Sequence, residues 1–197
     1  MKSYRLELPK ESTTALIFDS YILAKQMTQQ SKLSVNELLI KLQRLPYENQ
    51  SLSSLWDGEQ LSFTFNTESN DDFDINIVGT YLLLKMSAYS VLKSFMADFG
   101  EFIKVTTDRG EMMLFNLLTF AKEDLSLTER AYLDGFEDGL KSLVFDENDI
   151  RNKNLYKSKL EGGNLVYCNE LFFNAVKNNK LTGIAFYTDL LSTFPEN

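Results

Sequence analysis

The chain has 197 residues, of which 44% are apolar and 13% aromatic, and this composition is typical of a folded domain with a buried core. The sequence contains no histidine and a single cysteine, Cys168, which excludes imidazole-based catalysis, histidine-ligated metal sites and an internal disulfide. The net charge of −8 makes the phosphate backbone of a nucleic acid an unfavourable partner.

Short strands and one capped helix are predicted in the first part of the chain. Residues 4–8 alternate weakly between polar and apolar and predict a strand, and residues 15–18 form a second short apolar run. Ser34 is a suitable N-cap for a helix that reaches Leu45, and Pro46 is expected to end that helix. The apolar residues of this predicted helix share one face: Val35, Leu38, Leu39 and Leu42.

A loop, a strand and an acidic connector are predicted next. Residues 47–59 predict a loop, and residues 60–66 alternate as a strand. The segment 68–74 contains four acids and no base. We expect this acidic segment to join an N-terminal segment or small lobe, residues 1–70, to a compact unit formed by residues 71–197.

Two later segments, residues 80–105 and 163–186, show the same order of signals. Each contains an apolar run, a helix-capping residue, an amphipathic stretch, a glycine and a second strand-like run. The predicted caps are Ser87 and Asn169. Gly100 is predicted to be a helix C-cap, and Gly183 is predicted to lie in a turn that requires positive φ.

The remaining strands favour a sheet that is largely antiparallel. Residues 102–105 and 112–115 are expected to form a hairpin that turns at Asp108-Arg109-Gly110, and residues 142–145 are a further strand candidate. Strands and helices mix without regular βαβ alternation. We therefore predict an α+β fold, with amphipathic helices packed on a mixed, largely antiparallel sheet and two strand–helix–strand units of similar layout.

The second half of the chain resembles a known family in the order of its short motifs. The matching residues are Ser87, Gly100, Glu101, Asn116, Phe145, Asp146, Tyr156, Leu181, Thr182, Gly183 and Phe186. Over residues 74–189 this order resembles the immunity proteins of bacterial polymorphic toxin systems, in the family called immunity protein eleven, formerly a domain of unknown function. Tyr156-Lys157 stands where that pattern usually has a Phe-Arg pair.

The resemblance implies a role in competition between bacteria. Members of such families bind a cognate secreted toxin and neutralise it, which protects the producing cell and requires no catalysis and no cofactor. Many delivered toxins are basic or are nucleases, and an acidic inhibitor can complement their charge. We therefore expect a toxin protein as partner, with no nucleic-acid partner. The sequence does not indicate the oligomeric state.

Acidic and aromatic residues are the candidate contacts with that partner. The acids fall in two clusters, Glu68, Asp71, Asp72 and Asp74 in the first and Asp134, Glu137 and Asp138 in the second. Trp56 and Phe73 are the candidate aromatic anchors. Solvated loops that only keep the chain in solution are the alternative interpretation of each cluster. Charge reversal at Asp71, Asp72 and Asp74 is predicted to weaken toxin binding without lowering thermal stability.

Glu101 is expected to have a structural role, because it follows a predicted helix C-cap glycine, where a carboxylate commonly accepts hydrogen bonds from loop amides. Residues 134–149 lack the spacing of a calcium-binding loop, and we predict no metal site and no catalytic residue. Two alternative functions stay open. One is a carboxylate-based hydrolase that reverses a toxin's modification, and the other is a cytosolic adaptor whose basic segment 151–159 contacts an acidic partner.

The sequence also favours a cytoplasmic location and no membrane partner. The N-terminus carries charges where a signal peptide would have its apolar core, and no uncharged stretch is longer than ten residues. A single cysteine fits a reducing compartment.

Overall fold

The computed structural model describes residues 1–29, 31–55, 61–66 and 71–191, and these residues form an α+β fold. The strands are β1 (Ser3–Glu7), β2 (Leu16–Ile17), β3 (Leu61–Phe65), β4 (Ile75–Val78), β5 (Tyr81–Lys85), β6 (Gly100–Thr107), β7 (Gly110–Leu117), β8 (Arg130–Leu133), β9 (Phe136–Leu140), β10 (Leu155–Tyr156), β11 (Val166–Asn169) and β12 (Ala185–Tyr187). The α-helices are α1 (Ser20–Met27), α2 (Val35–Glu48), α3 (Met86–Met96), α4 (Glu147–Ile150) and α5 (Glu170–Asn178).

A six-stranded sheet with the order β2-β3-β6-β7-β5-β4 forms the centre of the fold. Its neighbouring strands are antiparallel except for β3 and β6, which are parallel. The hairpin of β6 and β7 turns between Thr107 and Gly110 and sets Phe102 opposite Phe115. The predicted hairpin and the predicted α+β fold class are therefore confirmed.

The central sheet is buried on both faces, and β5 shows why its residues form a continuous apolar run. Leu83 faces the core that α1 and α2 cover, whereas Leu82 and Leu84 face the core that α3 and α5 cover. Successive side chains of a strand point to opposite faces, so a strand between two cores needs apolar residues at every position.

A second, four-stranded antiparallel sheet with the order β10-β11-β1-β12 lies beyond α3 and α5. Helix α3 packs on β5 and β7, α5 packs on β1 and β11, and the two helices contact each other. The strands of the first seventy residues pair with later strands in both sheets, because β1 lies between β11 and β12 and β3 pairs with β6.

Helix α2 begins as predicted but ends later. The Ser34 side chain accepts a hydrogen bond from the Glu37 N–H, and the Glu37 carboxylate accepts one from the Ser34 N–H, which together make a capping box. The prediction that Pro46 ends the helix is wrong. Because Pro46 lies in the last turn, the helix loses only one donor there and continues to Glu48, after which the C-cap residue Asn49 adopts a left-handed conformation with φ 56°.

Of the two predicted caps, Asn169 is confirmed and Ser87 is wrong. The Asn169 side chain accepts hydrogen bonds from the N–H groups of Leu171 and Phe172 at the start of α5. Helix α3 instead begins directly after β5, with Lys85 in the capping position and no side-chain hydrogen bond. Ser87 therefore lies inside the first turn, where it is exposed.

The two predicted glycines have different roles. Gly183 has φ +98°, which confirms the predicted positive φ, and an added Cβ would lie 2.1 Å from the Ile75 carbonyl oxygen. Gly100 occupies the C-cap position after a short 3-10 helix, Ala97–Phe99, as predicted, but its φ of −177° is extended and it opens β6. A Cβ at Gly100 would lie 2.1 Å from the Asn116 carbonyl oxygen, so this glycine permits a close approach of two backbones.

The predicted strand at residues 142–145 is wrong. Phe145 makes only an isolated bridge to Glu123, and the segment is otherwise irregular. Leu143 and Phe145 are nevertheless buried, in a small cluster that also contains Tyr156 and Tyr167. Among the described residues, no helix combines the length and apolarity that a membrane crossing requires.

Candidate partner-binding site

The most exposed element of the fold is the hairpin of β8 and β9, called here the 130–140 hairpin. Asp134 and Gly135 join its strands with φ values of +50° and +84°, and Leu133 pairs with Phe136 across the turn. Positive φ at both central residues is the mark of a type I′ turn, whose twist matches that of the flanking strands. The Asp-Gly pair is the sequence signal for this turn, although this hairpin was not among the predicted elements.

The hairpin is anchored at its base and exposed along its length. At the base, the Lys141 N–H donates to the Glu129 carbonyl oxygen at 2.8 Å. The Val144 N–H donates to the Thr128 hydroxyl at 3.0 Å, and the Glu129 N–H donates to the Ser142 hydroxyl at 3.0 Å. Above these bonds, nearly every residue of both strands is exposed. The structure therefore presents the hairpin on a fixed base.

Large apolar side chains are concentrated on this exposed element and on the turn before it. The exposed fractions are 79% for Phe136, 65% for Tyr132, 63% for Leu133, 74% for Leu125 and 58% for Leu127. Single exposed apolar residues are common on proteins, but a cluster of them typically marks a surface that binds a partner. None of these five residues was predicted as a contact residue.

The two faces of the hairpin differ in chemistry. Leu133 and Phe136 are opposite each other, and Tyr132 is opposite Glu137 in the adjacent pair. Because side chains alternate between faces, Leu133 and Phe136 share one face and Tyr132 and Glu137 share the other. Glu137 also forms an ion pair with Arg130, so the second face carries a charge pair.

The second predicted acidic cluster lies on this hairpin and is exposed. Asp134 occupies the turn, and Glu137 and Asp138 lie on β9. Lys141 pairs with Glu129 at 2.8 Å; the hydrogen bond between them lowers the pKa of Glu129 and raises that of Lys141.

The charge balance of the hairpin is negative. Its one basic residue, Arg130, pairs with Glu137, and just outside the hairpin Lys141 pairs with Glu129. Asp134 and Asp138 form no ion pair within the described part of the chain, and they leave the hairpin with an acidic surplus.

The first predicted acidic cluster is involved in contacts within the fold. The Asp74 carboxylate accepts hydrogen bonds from the Thr182 N–H and hydroxyl, each at 2.9 Å. The Asp71 carboxylate accepts from the Thr13 N–H at 3.1 Å and from its hydroxyl at 3.2 Å. Asp72 forms an ion pair with Lys85, and the hydrogen bond from Lys85 lowers the pKa of Asp72. These carboxylates join segments that are distant in sequence.

Of the two predicted aromatic anchors, Phe73 is buried. It is only 3% exposed and packs against Phe65 with a centroid distance of 5.4 Å, so its ring is not presented to a partner in this structure. Its ring belongs to the core that α1 and α2 cover. Trp56 and Glu68 lie outside the described residues.

Glu101 anchors the loop that follows α2. Its carboxylate accepts hydrogen bonds from the hydroxyls of Ser51 at 2.6 Å and Ser53 at 2.5 Å, from the Asn116 side chain at 2.8 Å and from the Leu52 N–H. Burial alone would raise the pKa of Glu101, but these hydrogen bonds lower it below its ordinary value. The expected bond to loop amides is present, and it comes from the loop that follows α2.

The described residues contain no group of three or more cysteine, aspartate or glutamate side chains placed to hold a metal ion. No protein-family model matches this chain, and no curated protein matches it at a significant level.

Proposed function

We propose that this protein is an immunity protein, which binds a cognate bacterial toxin in the cytoplasm of the producing cell and neutralises it by occupying its surface. The observation that carries the proposal is the 130–140 hairpin, which exposes an apolar cluster on a fixed base. The motif order that resembles the immunity protein eleven family is the second support.

The energetics of the exposed cluster favour a binding role. Phe136 packs little of its ring within the fold, since 79% of the residue is exposed. Burying such a side chain in an interface contributes about 2–3 kcal/mol. A strand pair with so little contact to the core adds little to folding, so a partner that covers it is the simplest reason for its apolar residues.

The contact surface that we propose differs from the one that the sequence predicted. The acids of segment 71–74 are in contact with Thr13, Lys85 and Thr182, whereas Asp134 and Asp138 project on the hairpin. A toxin with a basic surface would complement these two hairpin acids.

Co-expression with the protein encoded by the adjacent upstream gene tests the proposal. We expect the two proteins to purify as a complex of fixed stoichiometry, and we expect protection of growing cells only when this protein is at least equimolar with the toxin. Protection at a small fraction of the toxin concentration would instead support the enzymatic alternative. Absence of both complex and protection would reject the proposed function.

A further inference from the structure

The two faces of the 130–140 hairpin are unequally suited to bury against a partner. The face with Tyr132 carries the Arg130–Glu137 ion pair, and a partner that covered it would have to remove water from both charges. The face with Leu133 and Phe136 carries the two apolar side chains that pair across the turn and, by the same alternation, the exposed Asp138. A partner that covers this face buries two apolar side chains and can pair a basic group with Asp138, which favours the Leu133–Phe136 face as the contact surface.

The shape of the hairpin favours a recess in the partner. The exposed end is only two strands wide and closes in the two-residue turn Asp134-Gly135. A narrow convex tip buries more of its area in a recess than on a flat surface. The turn already has the backbone conformation of a type I′ hairpin, so little conformational entropy is lost when a partner binds it.

The charge of the tip indicates what borders the recess. Asp134 lies in the turn and Asp138 on β9, and both are exposed. The chain carries a net charge of −8, which opposes approach to an anionic surface such as a membrane of acidic lipids. A partner with lysine or arginine around an apolar recess would be attracted to this tip and oriented by it.

We infer that the hairpin tip inserts Leu133 and Phe136 into an apolar recess of the toxin, and that lysine or arginine side chains border this recess and face Asp134 and Asp138. This inference rests on the proposed function. It adds which face of the hairpin makes the contact, that this face enters a recess of the toxin, and which charge borders that recess. Leu133 and Phe136 hold the toxin. Asp134 and Asp138 increase the rate of association and orient the two proteins as they meet.

Binding of the purified upstream-gene product to the full chain, measured by calorimetry and by association kinetics, tests the inference. Phe136→Ser is expected to weaken the affinity about 100-fold or more, as loss of a buried aromatic anchor does. Tyr132→Ser changes a residue on the opposite face of the same hairpin. We expect its loss of affinity to be at least ten times smaller than the loss that Phe136→Ser causes. Tyr47→Ser, which removes an exposed aromatic residue of α2, is the control outside the hairpin.

The charge of the recess is tested by the double variant Asp134→Asn with Asp138→Asn. We expect slower association at low salt, by about tenfold, and a weaker dependence of the association rate on salt. An unchanged association rate would contradict a basic border. Equal losses for Phe136→Ser and Tyr132→Ser, or no loss for either, would contradict insertion of the Leu133–Phe136 face.

Failure of the inference and failure of the proposed function give different results. If the unaltered chain protects cells and binds the toxin while Phe136→Ser binds equally well, the inference fails and the proposed function stands. If the unaltered chain does not bind, the proposed function itself fails. Sedimentation of the chain with phosphatidylglycerol vesicles, or a dimer of the chain that Phe136→Ser abolishes, would assign the tip to a membrane or to a second copy and overturn the inference.

Discussion

At the scale of single residues, polar side chains join segments that are far apart in sequence. Glu101 is the clearest case, since its carboxylate fixes the loop at residues 51–53 against β6 and also receives the side-chain amide of Asn116 on β7. Hydrogen bonds to a charged acceptor are stronger than those between neutral groups. Glu101 therefore contributes to folding through its contacts, and those contacts lower its pKa.

Replacing this carboxylate should destabilise the fold. We expect Glu101→Ala to lower the free energy of unfolding by about 2–3 kcal/mol at neutral pH, because several donors lose their charged acceptor. Urea denaturation measures this loss, and Asp98→Ala, at an exposed acid nearby, is the control. The lowered pKa means that the contribution of Glu101 is complete above its ordinary value of 4.5 and disappears as the pH falls through its folded pKa. Equal stability of both variants at neutral pH would contradict an anchoring role.

Lys157 is a buried ammonium group with a different pH dependence. It is 1% exposed, donates to the Pro46 carbonyl oxygen at 2.7 Å and lies 4.8 Å from the centroid of the Phe120 ring. Burial lowers the pKa of Lys157 to about 8 from its ordinary 10.5. The bond to Pro46 satisfies one carbonyl at the end of α2, yet the charge itself is unfavourable in the folded chain.

The folded protein should therefore become more stable as the pH rises through this region. Between the folded pKa of about 8 and the unfolded value of 10.5, the unfolded chain binds more protons, so the free energy of unfolding increases with pH. We expect a gain of about 2 kcal/mol in the unaltered chain relative to Lys157→Met between about pH 7.5 and 9.5. Lys159→Met, at an exposed lysine beside the same Phe120 ring, should keep the gain.

The pH range of that measurement is limited by other buried groups. Burial raises the pKa values of Tyr81, Tyr156 and Tyr167, which makes stability fall at higher pH, where tyrosines of the unfolded chain ionise. The unaltered chain and Lys157→Met share this effect. The difference between their free energies of unfolding therefore reports the contribution of Lys157 alone. A difference in stability that does not change with pH would contradict the lowered pKa.

At the scale of elements, local sequence patterns predicted the elements that have one buried face. They missed the features whose structure depends on contacts with residues distant in sequence. The alternation of Leu61, Phe63 and Phe65 predicted β3, whose alternate residues are buried. The pattern at residues 142–145 is equally apolar, but in the described part of the chain this segment makes only the isolated bridge to Glu123 and packs as an irregular stretch. Burial alone produces an apolar pattern, and only the partner strand makes it a sheet.

Helix ends and close backbone contacts were harder to predict for similar reasons. Ser34 and Asn169 are caps that act on their own helices, so their neighbours in sequence reveal them. Gly100 is required by the Asn116 carbonyl oxygen on β7, a contact that no local pattern shows. The 130–140 hairpin had a local signal in Asp134-Gly135, but its strands lack the alternation of a half-buried sheet because both faces are exposed.

One side chain protects the open edge of the central sheet. Within the residues that the structure describes, strand β2 pairs with β3 at Thr64 and Phe65 alone, and the chain then turns away into α1. At Ser62 the carboxamide of Gln26 replaces the missing strand. The Ser62 N–H donates to its oxygen at 2.7 Å, and its nitrogen donates to the Ser62 carbonyl oxygen at 2.8 Å. These are the two bonds that an antiparallel strand would make.

Removing that carboxamide should let the edge pair with another chain. We expect Gln26→Ala to associate at high protein concentration, because an unpaired strand edge is a template for pairing. Sedimentation velocity over a range of concentrations measures the association. Gln29→Ala, at an exposed glutamine just after α1, is the control and should behave like the unaltered chain. Concentration-independent sedimentation of Gln26→Ala would show that the edge is closed without the carboxamide.

At the scale of the whole molecule, the net charge of −8 combines two acidic clusters that do different work. Sequence composition cannot separate them, because both clusters are short runs of aspartate and glutamate between apolar segments. The structure separates them by their contacts. Segment 71–74 is joined to residues 13, 85 and 182, whereas the acids of the 130–140 hairpin project from the fold.

The contacts of the first acidic cluster predict that charge reversal there lowers stability, whereas its charge alone predicted no loss of stability. Charge reversal at Asp71, Asp72 and Asp74 should lower stability, since these carboxylates join the N-terminal and C-terminal segments to the central sheet. Asp74→Ala is the simplest test, because it removes the acceptor of both Thr182 bonds. We expect a loss of about 2 kcal/mol, which lowers the midpoint of thermal unfolding by about 4–8 °C for a chain of this size.

The matched change on the hairpin should leave the fold unaffected. Asp138 is exposed and forms no ion pair in the described ranges, and substitutions at such surface positions usually change stability by less than about 0.5 kcal/mol. We therefore expect Asp138→Ala to unfold at the same temperature as the unaltered chain, measured by calorimetry beside Asp74→Ala. If Asp138→Ala lost as much stability as Asp74→Ala, the hairpin acids would be part of the folding energetics. A role in folding, rather than a binding partner, would then explain why the hairpin carries exposed apolar residues.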